Sequence, residues 1–138
     1  MPRAAALLRD PNPTVRAHAV WLVFSFQHPR TKADVIRHLT GALADEDAAV
    51  RRNAARLLCL FESDAECAAP EITKLLTDDD AEVRVMAAFS LWRILRQADV
   101  VLPTLRAEFE NADERLSANA RHIVKTIEAT SPTRPSDP

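Results

Sequence analysis

Cys59 is the side chain in this sequence that comes nearest to a nucleophile. Arg56 lies three residues earlier, almost one helical turn, and a cation at that range lowers a thiol's pKa. No histidine is spaced to serve as its base, so Cys59 reads as a structural thiol. Cys67, eight residues on, lacks metal-ligand spacing with it, and both read as free thiols of a reducing compartment. His18, His28, His38 and His122 are scattered, and no pair has His-x-x-x-His spacing. A Walker loop and a nucleophile elbow are both missing. The residues therefore predict a protein that is not an enzyme, with no catalytic residue, no metal ligand set and no cofactor.

Another set of polar residues recurs instead. Asp-x-x-x-x-Val-Arg-x-x-Ala appears as Asp10–Val15–Arg16–Ala19, as Asp45–Val50–Arg51–Ala54 and as Asp78–Val83–Arg84–Ala87. A worn fourth copy is Asn111–Leu116–Ser117–Ala120. The first residues are spaced 33 to 35 apart. A repeat of that length built from two helical segments is the signature of an α-solenoid.

The elements that position these residues follow from the periodicity. In the third copy Ala69, Ile72, Leu75 and Leu76 define one apolar helical face. Asp78-Asp79-Asp80 then breaks the pattern and places negative charge at the start of the next helix, where free N–H groups favour it. Val83, Ala87, Ser90, Leu91 and Ile94 form the inner face of that second helix. Pro2, Pro70 and Pro103 occupy one column of the first helices, where a missing N–H costs little; Arg37 interrupts it. The helices are expected at about 2–9, 13–27, 32–43, 47–62, 66–77, 80–97, 99–110 and 112–129. One domain, 1–129, would hold repeats at about 2–28, 32–62, 66–97 and 99–129. The Pro-rich tail 130–138 is expected to be disordered.

Composition agrees with this class. Of 138 residues, 47% are hydrophobic and 28% charged, and there is one glycine, Gly41. So few positions able to adopt positive φ argue against a turn-rich β fold. Net charge is −2, whereas domains held to nucleic acid by charge are usually basic. No apolar run approaches the roughly 18 residues that cross a bilayer, and the N-terminal apolar stretch is too short for a signal peptide. A cytoplasmic location without membrane contact is expected.

The repeated motif, with a first helix leading into Asp-x-x-x-x-Val-Arg-x-x-Ala-x-x-x-Leu, resembles HEAT-like repeats of the phycobilisome-lyase type. The resemblance covers about residues 2–129. It implies an all-α, right-handed α-solenoid of four helix pairs (an α-α superhelix). It also implies that Asp10/Arg16, Asp45/Arg51 and Asp78/Arg84 form a hydrogen-bonded ladder between neighbouring repeats, and that the second helices line the concave side. Metal-dependent hydroxylases with HEAT-like repeats carry His-Glu dipeptides, which this sequence lacks.

Numbering each second helix from its valine, positions +2, +6, +9 and +13 point away from the buried face at 100° per residue. They carry Trp21 and Phe24 in the first repeat, Arg52 and Arg56 in the second, and Phe89, Trp92 and Arg96 in the third. Trp and Arg dominate binding hot spots. These seven residues are the candidate partner-binding set. The acidic turns leave a cationic groove, so the expected function is a protein–protein interaction scaffold that takes a peptide or protein segment with acidic and apolar side chains. A nucleic-acid-binding HEAT-like module is the second choice, and a bilin lyase-like subunit the third. At the ends, Arg121 and Glu128 replace residues that would pack on a following repeat, which marks a cap. His18 and Ser25 hint at a cap in front. A monomer or a weak front-to-front dimer is expected.

Overall fold

A computed structural model describes residues 2–28 and 30–130. They form α1 (Pro2–Leu7), α2 (Pro13–Phe24), α3 (Lys32–Ala42), α4 (Ala48–Leu58), α5 (Ala69–Lys74), α6 (Ala81–Leu95), α7 (Ala98–Ala107) and α8 (Glu114–Thr130). No strand occurs among the described residues. The chain is an all-α solenoid in which α1/α2, α3/α4, α5/α6 and α7/α8 pair, and each second helix packs on the next. The tail expected at 130–138 lies, beyond Thr130, outside the described residues.

The turn before each second helix is built twice over from side-chain caps. The marker residue accepts the backbone N–H two positions on: Asp10 from Asn12 (2.8 Å), Asp45 from Asp47 (2.9 Å), Asp78 from Asp80 (2.9 Å) and Asn111 from Asp113 (2.9 Å). The residue reached is itself the cap. Asn12 accepts from Thr14, Asp47 from Ala49 and Val50, Asp80 from Val83, and Asp113 from Arg115 and Leu116. Each cap satisfies amides that have no helical acceptor.

Packing then follows the motif. The motif alanines Ala19, Ala54, Ala87 and Ala120 are sealed from solvent, as are Val23, Leu58, Leu91 and Val124 four positions on. Alanine in that column lets helix backbones approach closely, and burying each larger side chain contributes about 1.5–3 kcal/mol. Ser90, in the same core, is fully buried; its hydroxyl donates to the Ala55 carbonyl (2.8 Å) across the α4–α6 contact and to Met86 (2.8 Å).

The arginine ladder fixes the stacking. Arg16 donates Nε and Nη2 to the two carboxylate oxygens of Asp45 (2.8 and 2.9 Å), and Nη1 to the carbonyls of Asp10 and Pro11. Arg51 repeats the arrangement on Asp78 (2.8 Å twice) and on the carbonyls of Asp45 and Glu46. Each guanidinium thus closes its own turn and grips the next repeat, in the bidentate geometry that arginine alone provides.

The last rung departs from the motif. Asn111 cannot accept as a carboxylate, and Arg84 instead donates to Glu108 (2.6 Å), whose other oxygen accepts from the Asn111 amide (2.8 Å). Ser117, in the arginine position, donates its hydroxyl to Phe109 O (2.6 Å) and sends nothing forward. Arg121 lies over the Phe109 ring (4.6 Å) and donates to the same carbonyl.

Two further details differ from expectation. The α-helical form of α4 stops at Leu58, and a 3-10 segment, Cys59–Ala68, carries the chain into α5. Glu62 breaks that segment with φ 48° and ψ −133°, a conformation L-residues avoid. Arg93 and Arg96 (3.7 Å) of the following repeat both ion-pair with it. Pro103 sits inside α7 rather than at its first turn, because α7 begins at Ala98. None of the helices is long and apolar enough to cross a membrane, among the described residues.

Candidate binding groove

The second helices α2, α4, α6 and α8 share a groove of about 610 Å³. Its floor is the +6 column, one residue from each repeat: Trp21, Arg56, Phe89 and His122. Met86 and Asn119 at +3, and Leu60 and Thr126 at +10, form the walls. Trp21 keeps 42% of its surface exposed and Leu60 57%. These large apolar surfaces sit in a concavity and not singly on a convex face, the pattern of a binding site.

Arg56 lies over the Trp21 indole, with its guanidinium carbon 5.7 Å from the ring centroid. Among the described residues it has no carboxylate partner. The contact is worth about 0.5–1 kcal/mol at an exposed site. It holds the cation in the groove floor while leaving its N–H groups open to an anion.

Of the seven expected site residues, three meet here: Trp21, Arg56 and Phe89. Phe89 is half-buried, 5.9 Å from Trp92. Phe24 is half-buried against the Phe61 ring in an edge arrangement (5.6 Å, 78°). Arg52 lines an adjoining polar hollow of about 470 Å³, where it pairs with Glu82; Glu82 also takes Arg115 (3.3 Å). Arg96 is exposed and covers the Trp92 ring (5.1 Å) on its way to Glu62.

Trp92 is a correction. It is 5% exposed and belongs to the core. The reason is geometric. Position +9 lies on the flank of each second helix that the following repeat covers: Cys59 is buried, Phe24 meets Phe61 of the next repeat, and Lys125, with no repeat after it, is exposed. The open face is therefore centred on +3, +6 and +10, about 60° round the helix from the expected one at 100° per residue. Leu60, Met86, Asn119, Ile123 and Thr126 were missed for that reason. The cationic column is also weaker than charge counting implies, since Arg52, Arg93 and Arg96 all carry carboxylate partners.

Cys59 lines the groove floor but is buried, and its thiol donates to Arg56 O (3.0 Å). Burial pushes the thiol's pKa up, and the nearby Arg93 and Arg56 do not outweigh it. A thiol so held is a poor nucleophile. Among the described residues no three His, Cys, Asp or Glu side chains gather to hold a metal ion.

A family model described as HEAT repeats matches residues 1–58 and 36–123. No curated protein matches the sequence. Among solved structures, the chain is similar to the crystal structure of an engineered protein, at 20% identity and a TM-score of 0.58. The match covers 91% of this chain and 61% of that one, and at this identity it speaks for the fold alone.

Proposed function

The chain belongs to the HEAT-repeat family, and from that premise we propose that it is a scaffold, without chemistry of its own, that holds a peptide or protein segment in the groove of its second helices. HEAT repeats commonly serve as protein-interaction scaffolds. One observation carries the reading to this face: Trp21, Arg56, Phe89 and His122 form a continuous floor, one from each repeat, with an arginine that has no carboxylate partner among the described residues stacked on the exposed tryptophan. A rigid aromatic anchor beside an unpaired cation suits an extended or helical segment with alternating apolar and acidic side chains. The carboxylate partners of Arg52, Arg93 and Arg96 leave few cations for a phosphate backbone, which favours a peptide over a nucleic-acid strand.

The test uses synthetic peptides in which leucine or phenylalanine alternates with glutamate, and matched peptides with lysine for glutamate. Trp92→Phe leaves Trp21 as the sole indole reporter. The acidic series is expected to shift Trp21 emission saturably, and Arg56→Ala or Phe89→Ala to weaken that binding at least tenfold. Equal response to both series, or none to either, refutes the proposal.

A further inference from the structure

Among the described residues, the leading edge of the solenoid presents apolar side chains with nothing packed on them. Three columns of the repeat face backwards, toward the preceding helix pair. At position −3 from the marker stand Leu7, Ala42, Leu75 and Glu108; at +7 from the valine stand Leu22, Leu57, Ser90 and Ile123; at +11 stand Phe26, Phe61, Ile94 and Ile127. In repeats two to four every one of these residues is at most 9% exposed. In the first repeat Leu7 is 39% exposed, Leu22 42% and Phe26 41%. The hint of a front cap from His18 and Ser25 is thus overturned: both are exposed, but three large apolar side chains stand beside them. A capping repeat would carry polar groups there.

The edge also carries an unanswered charge. Asp45 and Asp78 each receive a bidentate arginine from the repeat before, and Glu108 receives Arg84. Asp10 occupies the same rung, keeps the same turn bond to Asn12, and has no cationic partner among the described residues. Three internal interfaces of this chain therefore show what fits the edge. The occupant is a helix with a small or β-branched residue where Val20, Ala55 and Ala88 stand, led by an arginine where Arg16, Arg51 and Arg84 stand.

We propose that this edge docks a HEAT-type helix pair of a partner protein, whose inter-helix arginine completes the rung at Asp10. A second copy of this chain does not supply that chemistry. Stacked head to tail, its trailing edge offers Ser117 in place of the arginine, with Arg121 and Glu128 on the flank. Stacked front to front, it brings no free rung arginine to Asp10, because each copy's Arg16 already grips its own Asp45. The inference is independent of the groove, which lies between the second helices.

The test builds the missing interface from the chain's own sequence. A duplicate of residues 32–69 is joined ahead of Pro2, so that Pro2 takes the place of Pro70 and the duplicate's Arg51 meets Asp10. The added segment is expected to be helical, to unfold in one transition with the rest, and to raise the midpoint by several degrees. Amides around Leu22 and Phe26 should exchange at least tenfold more slowly. Asp10→Asn keeps the turn acceptor, so it should leave the parent's midpoint unchanged and lower that of the fusion. An added segment that stays unstructured or melts separately overturns the proposal, and so does an equal effect of Asp10→Asn on both proteins. A dimer of the unmodified chain in sedimentation, dissociated by Leu22→Glu, also overturns it by giving the edge to a second copy.

Discussion

Arg84 reaches Glu108 at 2.6 Å, although Glu108 lies three residues before the position that holds the ladder carboxylate in the earlier repeats. Its carboxylate is 6% exposed. The rung survives because a glutamate's longer stem covers the distance that one turn of chain removes, and Asn111 steadies the second oxygen. Glu108→Ala strands Arg84 against a buried site and is expected to cost about 3 kcal/mol, the low end for breaking a buried pair. The double change Glu108→Gln with Asn111→Asp returns the carboxylate to the motif position and should recover most of the loss. Urea unfolding of the two variants beside the parent checks this.

The ladder also sets an acid limit. Glu108 lies below the usual carboxylate range because Arg84 bonds to it, against the effect of burial and with help from Asn111. Burial raises Asp78, but the bonds from Arg51 and the Asp80 amide outweigh it and its pKa is lowered too. Both groups bind protons more weakly folded than unfolded. Their contribution is therefore complete above the unfolded value, about 4, and is lost as pH falls through the lower folded values. Unfolding midpoints should be flat from about pH 7 to 5 and drop below about 4. Glu108→Gln should make that drop shallower.

Trp21 and Trp92 should separate function from stability. Trp92→Ala opens a hole in the core and is expected to cost at least 3 kcal/mol. Trp21→Ala removes a half-exposed ring and should cost less than about 1 kcal/mol, mainly the contact with Arg56. Thermal melts give the first quantity, and calorimetric titration with the acidic peptides, which needs no indole, gives the effect on binding, which should be large only for Trp21.

Gly41 offers a gain. It lies within α3 on the exposed side, and a methyl group added there meets no atom within 4 Å. Gly41→Ala should stabilise by about 0.5–1 kcal/mol through the unfolded chain's lost freedom. An unchanged or lower midpoint would show that the space beside α3 is not open.

How much of this was legible beforehand varies by residue. The repeat and the helix pairs were visible because each depends on residues close in sequence and recurring in register; the ladder was implied by the family resemblance, since its rungs join residues 29 and 27 apart, Arg16 to Asp45 and Arg51 to Asp78. Trp21, Arg56 and Phe89 were legible because +6 points outward whatever the curvature. Trp92 and Phe24 were not, because +9 is open or closed depending on how tightly successive helices wind, which no single repeat encodes. Glu108 was hidden for another reason: a motif search looks for an acid at one position, whereas the guanidinium needs only an oxygen within reach.

The groove floor takes a single side chain from each of four repeats, while the rungs that hold the repeats together lie at the turns. The proposed recognition surface and the assembly contacts thus occupy different columns of the same repeat. Any one of Trp21, Arg56, Phe89 or His122 can be exchanged without touching a rung, so the preference of the proposed groove can drift letter by letter while the architecture stays put.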